Sequence, residues 1–208
     1  MPSKRAAKIG SPAMAYQLEV VLAEFKPRIW RRLRVLGDVS LHELHGILQR
    51  AMGWTESHLY QFELAGRRYS EPDPEEDSFG EPAADARRTL LRDLGLTQGS
   101  EFSYVYDFGD WWEHRLQVEA VFAPLPAEAY PCCVGGERAG PPEDVGGVHG
   151  YAEMLEALRN PRHPERAQWA EWLPAGFDPE AFDARETTER LQHFHGAKRR
   201  RARPRKSR

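Results

Sequence analysis

Cysteine is nearly missing from this chain: 208 residues hold two, and these are neighbours, Cys132 and Cys133. Adjacent thiols cannot staple distant loops, which excludes a disulfide framework. They also make poor geometry for chelating one ion, so a buried thiol is the plainer reading. No stretch approaches the ~18 consecutive apolar residues of a membrane-spanning helix. The basic N-terminus, with Lys4, Arg5 and Lys8, has no apolar segment behind it as a secretory leader would. The expected compartment is therefore the cytoplasm, with no membrane partner. HExxH, Walker, GxSxG and CxxC signatures are absent, and so are internal repeats. Enzymes that declare themselves by a short motif are thereby set aside.

What is there is charge, unevenly placed. The formal net charge is −3. Eight basic residues between Lys198 and Arg208 contribute +8, leaving the remainder at −11 (−3 less 8). An acidic body with a basic tail differs from a nucleic-acid-binding domain, whose basic groups line one folded face. The tail from Lys198 to Arg208 can grip nucleic acid weakly and without sequence preference, or simply be a solvated end. With 40% apolar residues, the chain is expected to form one domain over residues 15–195, between a disordered arm at 1–14 and a disordered basic tail at 196–208.

Alternation of apolar and polar residues predicts a strand from Tyr16 to Phe25 and another from Ile29 to Val35, joined through Lys26-Pro27-Arg28. Ser40-Leu41-His42-Glu43 matches a capping box, and Leu41, Leu44, His45, Leu48 and Met52 follow at helical spacing. Gly53 sits where a left-handed cap belongs. Ser57 to Leu64 reads as a strand. Tyr69 to Arg88, rich in Pro, Glu and Asp with Glu71, Asp73, Glu75, Glu76 and Asp77 crowded together, reads as a mobile surface loop, and Leu90 to Leu96 as a short helix ended by Gly95. Glu101 to Phe122 reads as a hairpin turned at Gly109-Asp110. A two-residue turn pairs Phe108 with Trp111, Asp107 with Trp112 and Val105 with His114. Asp107, Trp112 and His114 then share one face, with Asp107 and His114 diagonal neighbours; Tyr104, Tyr106, Phe108 and Trp111 stack on the other. Cys133 to Tyr151 is too rich in Gly and Pro for a helix or a central strand, yet it carries Arg138, Glu143, Asp144 and His149. Helices are predicted at about Val148 to Arg159, Pro164 to Trp172 and Pro179 to Phe194. The fold class is α+β: an antiparallel sheet of about five strands, with one N-terminal helix and a C-terminal helical segment packed on it.

These segments resemble the plasmid pRiA4b ORF-3-like family, also labelled an insertion-element passenger TnpR-type protein. The resemblance rests on the order of Pro27-Arg28-Ile29-Trp30-Arg31-Arg32, Leu41-His42-Glu43-Leu44-His45, Ala51-Met52-Gly53-Trp54 with His58-Leu59, Tyr106-Asp107-Phe108-Gly109-Asp110 with Trp112 and His114, Pro141-Pro142-Glu143-Asp144-Val145-Gly146-Gly147, Gly150-Tyr151 and Phe177-Asp178-Pro179-Glu180. It implies an α+β domain and a tie to plasmids or mobile elements. A serine resolvase needs a nucleophilic Ser among clustered Arg residues and a helix-turn-helix reader, and neither pattern is present. The family pattern often places a Cys before Pro-Pro-Glu-Asp, where this chain has Gly140, so a pairing of Cys133 with that position is lost.

The hairpin and the glycine-rich loop carry the candidate chemistry. The expected binding set is Asp107, Asp110, Trp112, His114, Arg138, Glu143, Asp144 and Tyr151. Carboxylates and imidazole converging from two segments can hold a divalent cation. Alternatively Asp107 orients His114 as an acid–base pair, with Glu143 the third catalytic candidate. Against both stands a structural account in which Asp110 serves a turn, Asp107 holds backbone amides, and Glu143 and Asp144 bond the loop or Arg138. His42 and His45 on the helix, with His58 near its end, could ligate a metal, although His45 on the apolar face reads better as a core histidine bonded to a carbonyl. Arg31 shares the face of Ile29 and Leu33 and is expected to pair with an acid such as Glu143. Three function classes remain open: a binding or accessory module with a protein partner, a small metal-dependent or hydrolase-like enzyme, and a nucleic-acid-associated protein acting through its tail.

Overall fold

The computed structural model describes residues 14–72 and 82–202, the side chains of 195–202 excepted. Residues 73–81 of the expected loop, 1–13 of the N-terminal arm and 203–208 of the basic tail lie outside the described residues. The loop's described ends are not irregular throughout, since Tyr69 and Ser70 pair with Ala84 and Asp85 as strand.

Alternation along the first two segments builds a hairpin, β1 (Ala15–Leu22) against β2 (Trp30–Leu36). Tyr16, Leu18, Val20 and Leu22 are buried on one face of β1, and Arg31, Leu33 and Val35 turn inward on β2, with Ile29 buried just before it. Helix α1 (Leu41–Met52) follows, bounded as its local chemistry dictates. The Ser40 side chain accepts the Glu43 amide while the Glu43 carboxylate takes the Ser40 amide, and Gly53 closes the helix at φ +96°. Ser40→Ala is expected to cost about 1 kcal/mol in a urea melt; an unchanged midpoint would show that the cap contributes nothing.

The strands β3 (Tyr60–Leu64), β4 (Arg67–Ser70) and β5 (Ala84–Asp85) precede a 3-10 turn at Leu91–Leu94. Then come β6 (Glu101–Tyr106), β7 (Trp112–Phe122) and β8 (Cys132–Glu137). They form one sheet in the order β5-β4-β3-β6-β7-β1-β2-β8, antiparallel except for β4 with β5. Eight strands replace the expected five. Short β4 and β5 are polar and lack the apolar alternation that marks a strand. The segment holding β8 is rich in glycine, and accordingly it lies at the sheet edge, where glycine and proline are tolerated.

Helices α2 (Gly147–Arg159), α3 (Arg166–Trp172) and α4 (Ala184–Ala202) complete the fold. The described part of α4 packs on β8 and α1. Its backbone stays helical through Ala202, into the stretch from residue 196 that the sequence assigned to a disordered tail.

One aromatic core joins α1 to the sheet. The buried Tyr104 hydroxyl lies 2.8 Å from His45 Nδ1 and accepts from Gln49 Nε2 at 3.0 Å, tying β6 to the helix. His45 stacks on Tyr60 with centroids 3.8 Å apart. His45 is thus a core histidine, and Tyr104 and Tyr106 are buried beneath the helix.

Candidate functional site

The β6–β7 connection sets the site, and it differs from the expected register. Tyr106 pairs with Trp112, Val105 with Glu113 and Tyr104 with His114, leaving Asp107 to Trp111 as a five-residue turn. A one-residue slip moves every side chain to the other face. Trp112 and His114 therefore join Tyr104 and Tyr106 in the core, while Trp111 turns outward at φ +56° and 55% exposure.

The expected Asp107–His114 pair does not form. His114 is sealed, its Nδ1 lying 3.0 Å from the Trp112 carbonyl and its Nε2 without a partner. Burial pulls its pKa down to about 4, with the Trp112 and Tyr104 carbonyls opposing and the Arg31 charge assisting. An imidazole so enclosed is part of the core. Trp112 is equally enclosed, and so is Tyr151, whose pKa burial raises to about 12. Arg138 pairs with Glu180 instead of the loop acids. Cys132 and Cys133 are free, buried thiols, and burial pushes Cys132 up to about 11.

The imidazole that does meet Asp107 belongs to His58, from the segment between α1 and β3. Its Nε2 lies 3.6 Å from Asp107 Oδ2 and 3.1 Å from Asp144 Oδ1. One ligand atom from each of these three residues falls within 4.8 Å of the others. Asp107 sits at φ +58° and Asp144 at φ +59°, a region that aspartate tolerates better than most residues. Asp107 Oδ1 accepts from Gly109 N at 2.9 Å, leaving Oδ2 toward His58. The structural account of Asp107 thus holds for one oxygen and not for the other.

The glycine-rich loop is fastened to the hairpin by its own acids and carbonyls. Glu143 accepts from the Tyr106 hydroxyl at 2.5 Å and from the Thr55 hydroxyl at 2.7 Å. Burial first, and then that carboxylate, push the Tyr106 pKa up, so the phenol stays a donor. Asp110 accepts the Gly146 amide at 3.2 Å, and a Cβ on Gly147 would collide with the Asp110 carbonyl. The Trp54 indole donates to the Pro141 carbonyl at 2.8 Å. Two acidic segments distant in sequence therefore meet. Asp107, Asp110, Glu143 and Asp144 are gathered there, while Trp112, His114, Arg138 and Tyr151 are not part of the cluster. His58 stands near the end of α1, and its place after Trp54 in the motif order is the sequence signal that points to it.

Arg31 also departs from expectation. It is buried and bonds three carbonyls, with no contact to Glu143. The neighbouring arginines are paired with acids, Arg28 with Glu19, Arg32 with Glu119 and Arg34 with Glu128.

The family model described as "Plasmid pRiA4b ORF-3-like protein" matches residues 14–186. The chain belongs to that family. Over 161 residues it is 41% identical to "Uncharacterized protein y4hQ" of Sinorhizobium fredii (strain NBRC 101917 / NGR234), covering 77% of this chain and 81% of that protein. It is also similar to the crystal structure of a protein of unknown function, MM3350 from Methanosarcina mazei Go1. That likeness has a TM-score of 0.76 at 33% identity, over 85% of this chain and 98% of the other. Among the described residues, no helix is long and apolar enough to cross a membrane.

Proposed function

We propose that this family member is a binding module whose hairpin–loop junction takes a divalent cation between His58, Asp107 and Asp144. The observation that carries the reading is the spacing of the three donors. An ion held at about 2.0–2.2 Å by imidazole nitrogen and carboxylate oxygen in tetrahedral array spaces neighbouring donors by about 3.3 Å. His58 Nε2 stands 3.1 and 3.6 Å from the two carboxylate oxygens. One nitrogen and two oxygens suit zinc or manganese better than calcium, which prefers oxygen throughout.

Asp107 is the fixed ligand, its side chain 11% exposed, and Asp144 the outer one at 69%. Three protein donors beside solvent leave coordination positions open. A cation there clips the glycine-rich loop to the hairpin and presents a positive centre to an incoming partner. The family's description after a plasmid reading frame supports an accessory role carried on mobile elements.

Calorimetric titration of chelator-treated protein with zinc and manganese tests this. Asp107→Asn and Asp144→Asn are each expected to weaken binding at least about tenfold, while Asp93→Asn, on a remote exposed turn, leaves it unchanged. Parent protein that takes up neither metal, or aspartate variants that bind like the parent, would remove the site.

A further inference from the structure

A cavity of about 870 Å³ lies among the end of α1, the 139–143 stretch and the chain from Trp172 to Arg190. Much of its wall is aromatic, from Trp54, Trp172, Phe177 and Phe182. Arg31 is part of the same wall, although only 2% of its surface is exposed. The inward phase of β2 places it there, between buried Ile29 and Leu33.

A guanidinium has five N–H donors and always one charge. Here Nε donates to the Ala51 carbonyl at 2.8 Å, and Nη1 to the carbonyls of Trp30 at 2.8 Å and Glu137 at 3.0 Å. The two hydrogens of Nη2 have no acceptor among the described residues. Phe182 covers the guanidinium at 4.6 Å from its ring centroid. Carbonyls supply dipoles but no counter-charge, and no carboxylate of the described residues lies within 4.0 Å of the group.

The acids that line the cavity are engaged elsewhere. Glu143 holds Tyr106 and Thr55, Asp178 accepts the Glu180 amide at 2.9 Å, and Asp183 accepts the Arg185 and Glu186 amides at 2.7 and 2.9 Å. Glu186 faces Arg190 at 3.9 Å. Burial chiefly, with Arg190 adding to it, lowers the Arg31 pKa to about 10, so the charge persists at neutral pH. Cys133, whose thiol burial pushes up, offers no anion in exchange. Buried charges in proteins are paired, and this one lacks its partner within the described fold.

We propose that the cavity binds a small monoanionic carboxylate with a flat apolar body, the carboxylate taking the free Nη2 edge of Arg31 and the body resting on the aromatic wall. The four acids around the cavity disfavour a phosphate dianion, and one free edge matches a single carboxylate oxygen better than a tetrahedral group.

Benzoate, its neutral isostere benzamide and inorganic phosphate are the probes, read on the full chain by calorimetry and by ligand-observed NMR. Benzoate is expected to bind, with benzamide and phosphate weaker by about tenfold or more. Arg31→Met is expected to abolish benzoate binding. Because that change also frees three carbonyls, Ala181→Trp provides an independent arm: it fills the cavity from an exposed wall position and leaves Arg31 intact, and it too is expected to abolish binding in a folded protein. No benzoate binding to the parent, benzamide or phosphate binding as well as benzoate, or benzoate retained by folded Ala181→Trp would each overturn the assignment.

Discussion

Trp112→Ala is expected to lower stability by about 3–5 kcal/mol, and Trp111→Ala by less than about 0.5 kcal/mol. The two residues are adjacent and chemically identical, so only their placement separates them. Trp112 opens β7 opposite Tyr106 and is fully buried, its ring 5.9 Å from that of Trp54. Truncating it leaves a void between the sheet and the segment after α1 that close-packed neighbours cannot refill. Trp111 stands outward at the turn, its ring 6.1 Å from Phe108. Denaturant unfolding of both variants measures the contrast. Equal losses would mean that the β6–β7 register is not the one described.

Acidification is expected to remove on the order of 3 kcal/mol through His114 alone. In the unfolded chain this imidazole titrates near its ordinary value of 6.5, whereas in the fold it resists protonation down to about 4. Above pH 6.5 both states are neutral at this position and it makes no difference. Between 6.5 and 4 the unfolded chain takes up a proton that the folded chain refuses. Stability therefore falls across that window by about 1.4 kcal/mol per pH unit. The readout is a difference between two proteins that vary at this position alone. His114→Gln should show a shallower loss than the parent between pH 6.5 and 4, by about the amount stated. Parallel curves would mean that the imidazole is not enclosed as described.

How far the sequence was legible follows from where each signal lay. Helix α1 was readable to the residue because the cap of Ser40 with Glu43 and the closing Gly53 are local chemistry. The buried faces of β1 and β2 were readable from alternation, including the inward phase of Arg31, although not what that arginine touches. The hairpin failed because aromatic residues occupy both phases of Tyr104 to Trp112, so alternation cannot choose a register. What chose it was the turn: Asp107 entering the left-handed region, its carboxylate taking the Gly109 amide and its carbonyl taking the Trp111 amide at 2.6 Å. A turn residue fixed by its own side chain is visible only after folding. The meeting of hairpin and loop was legible as a clustering of acids. The histidine at its centre was misassigned because His114 shares a strand with the aspartate's neighbours, whereas His58 approaches from another segment.

Gly140 holds a consequence for how the two cavity walls behave. A Cβ there would strike the Met52 carbonyl, so the strip from 139 to 143 lies flush against the end of α1. The next residue along is Asp144, which reaches His58. One short ribbon thus borders the cavity proposed for a carboxylate and leads into a residue of the proposed cation site. If each takes its guest, occupancy of either adjusts the other's grip by the same factor in both directions, as thermodynamic reciprocity demands. A methyl at this glycine would loosen both at once.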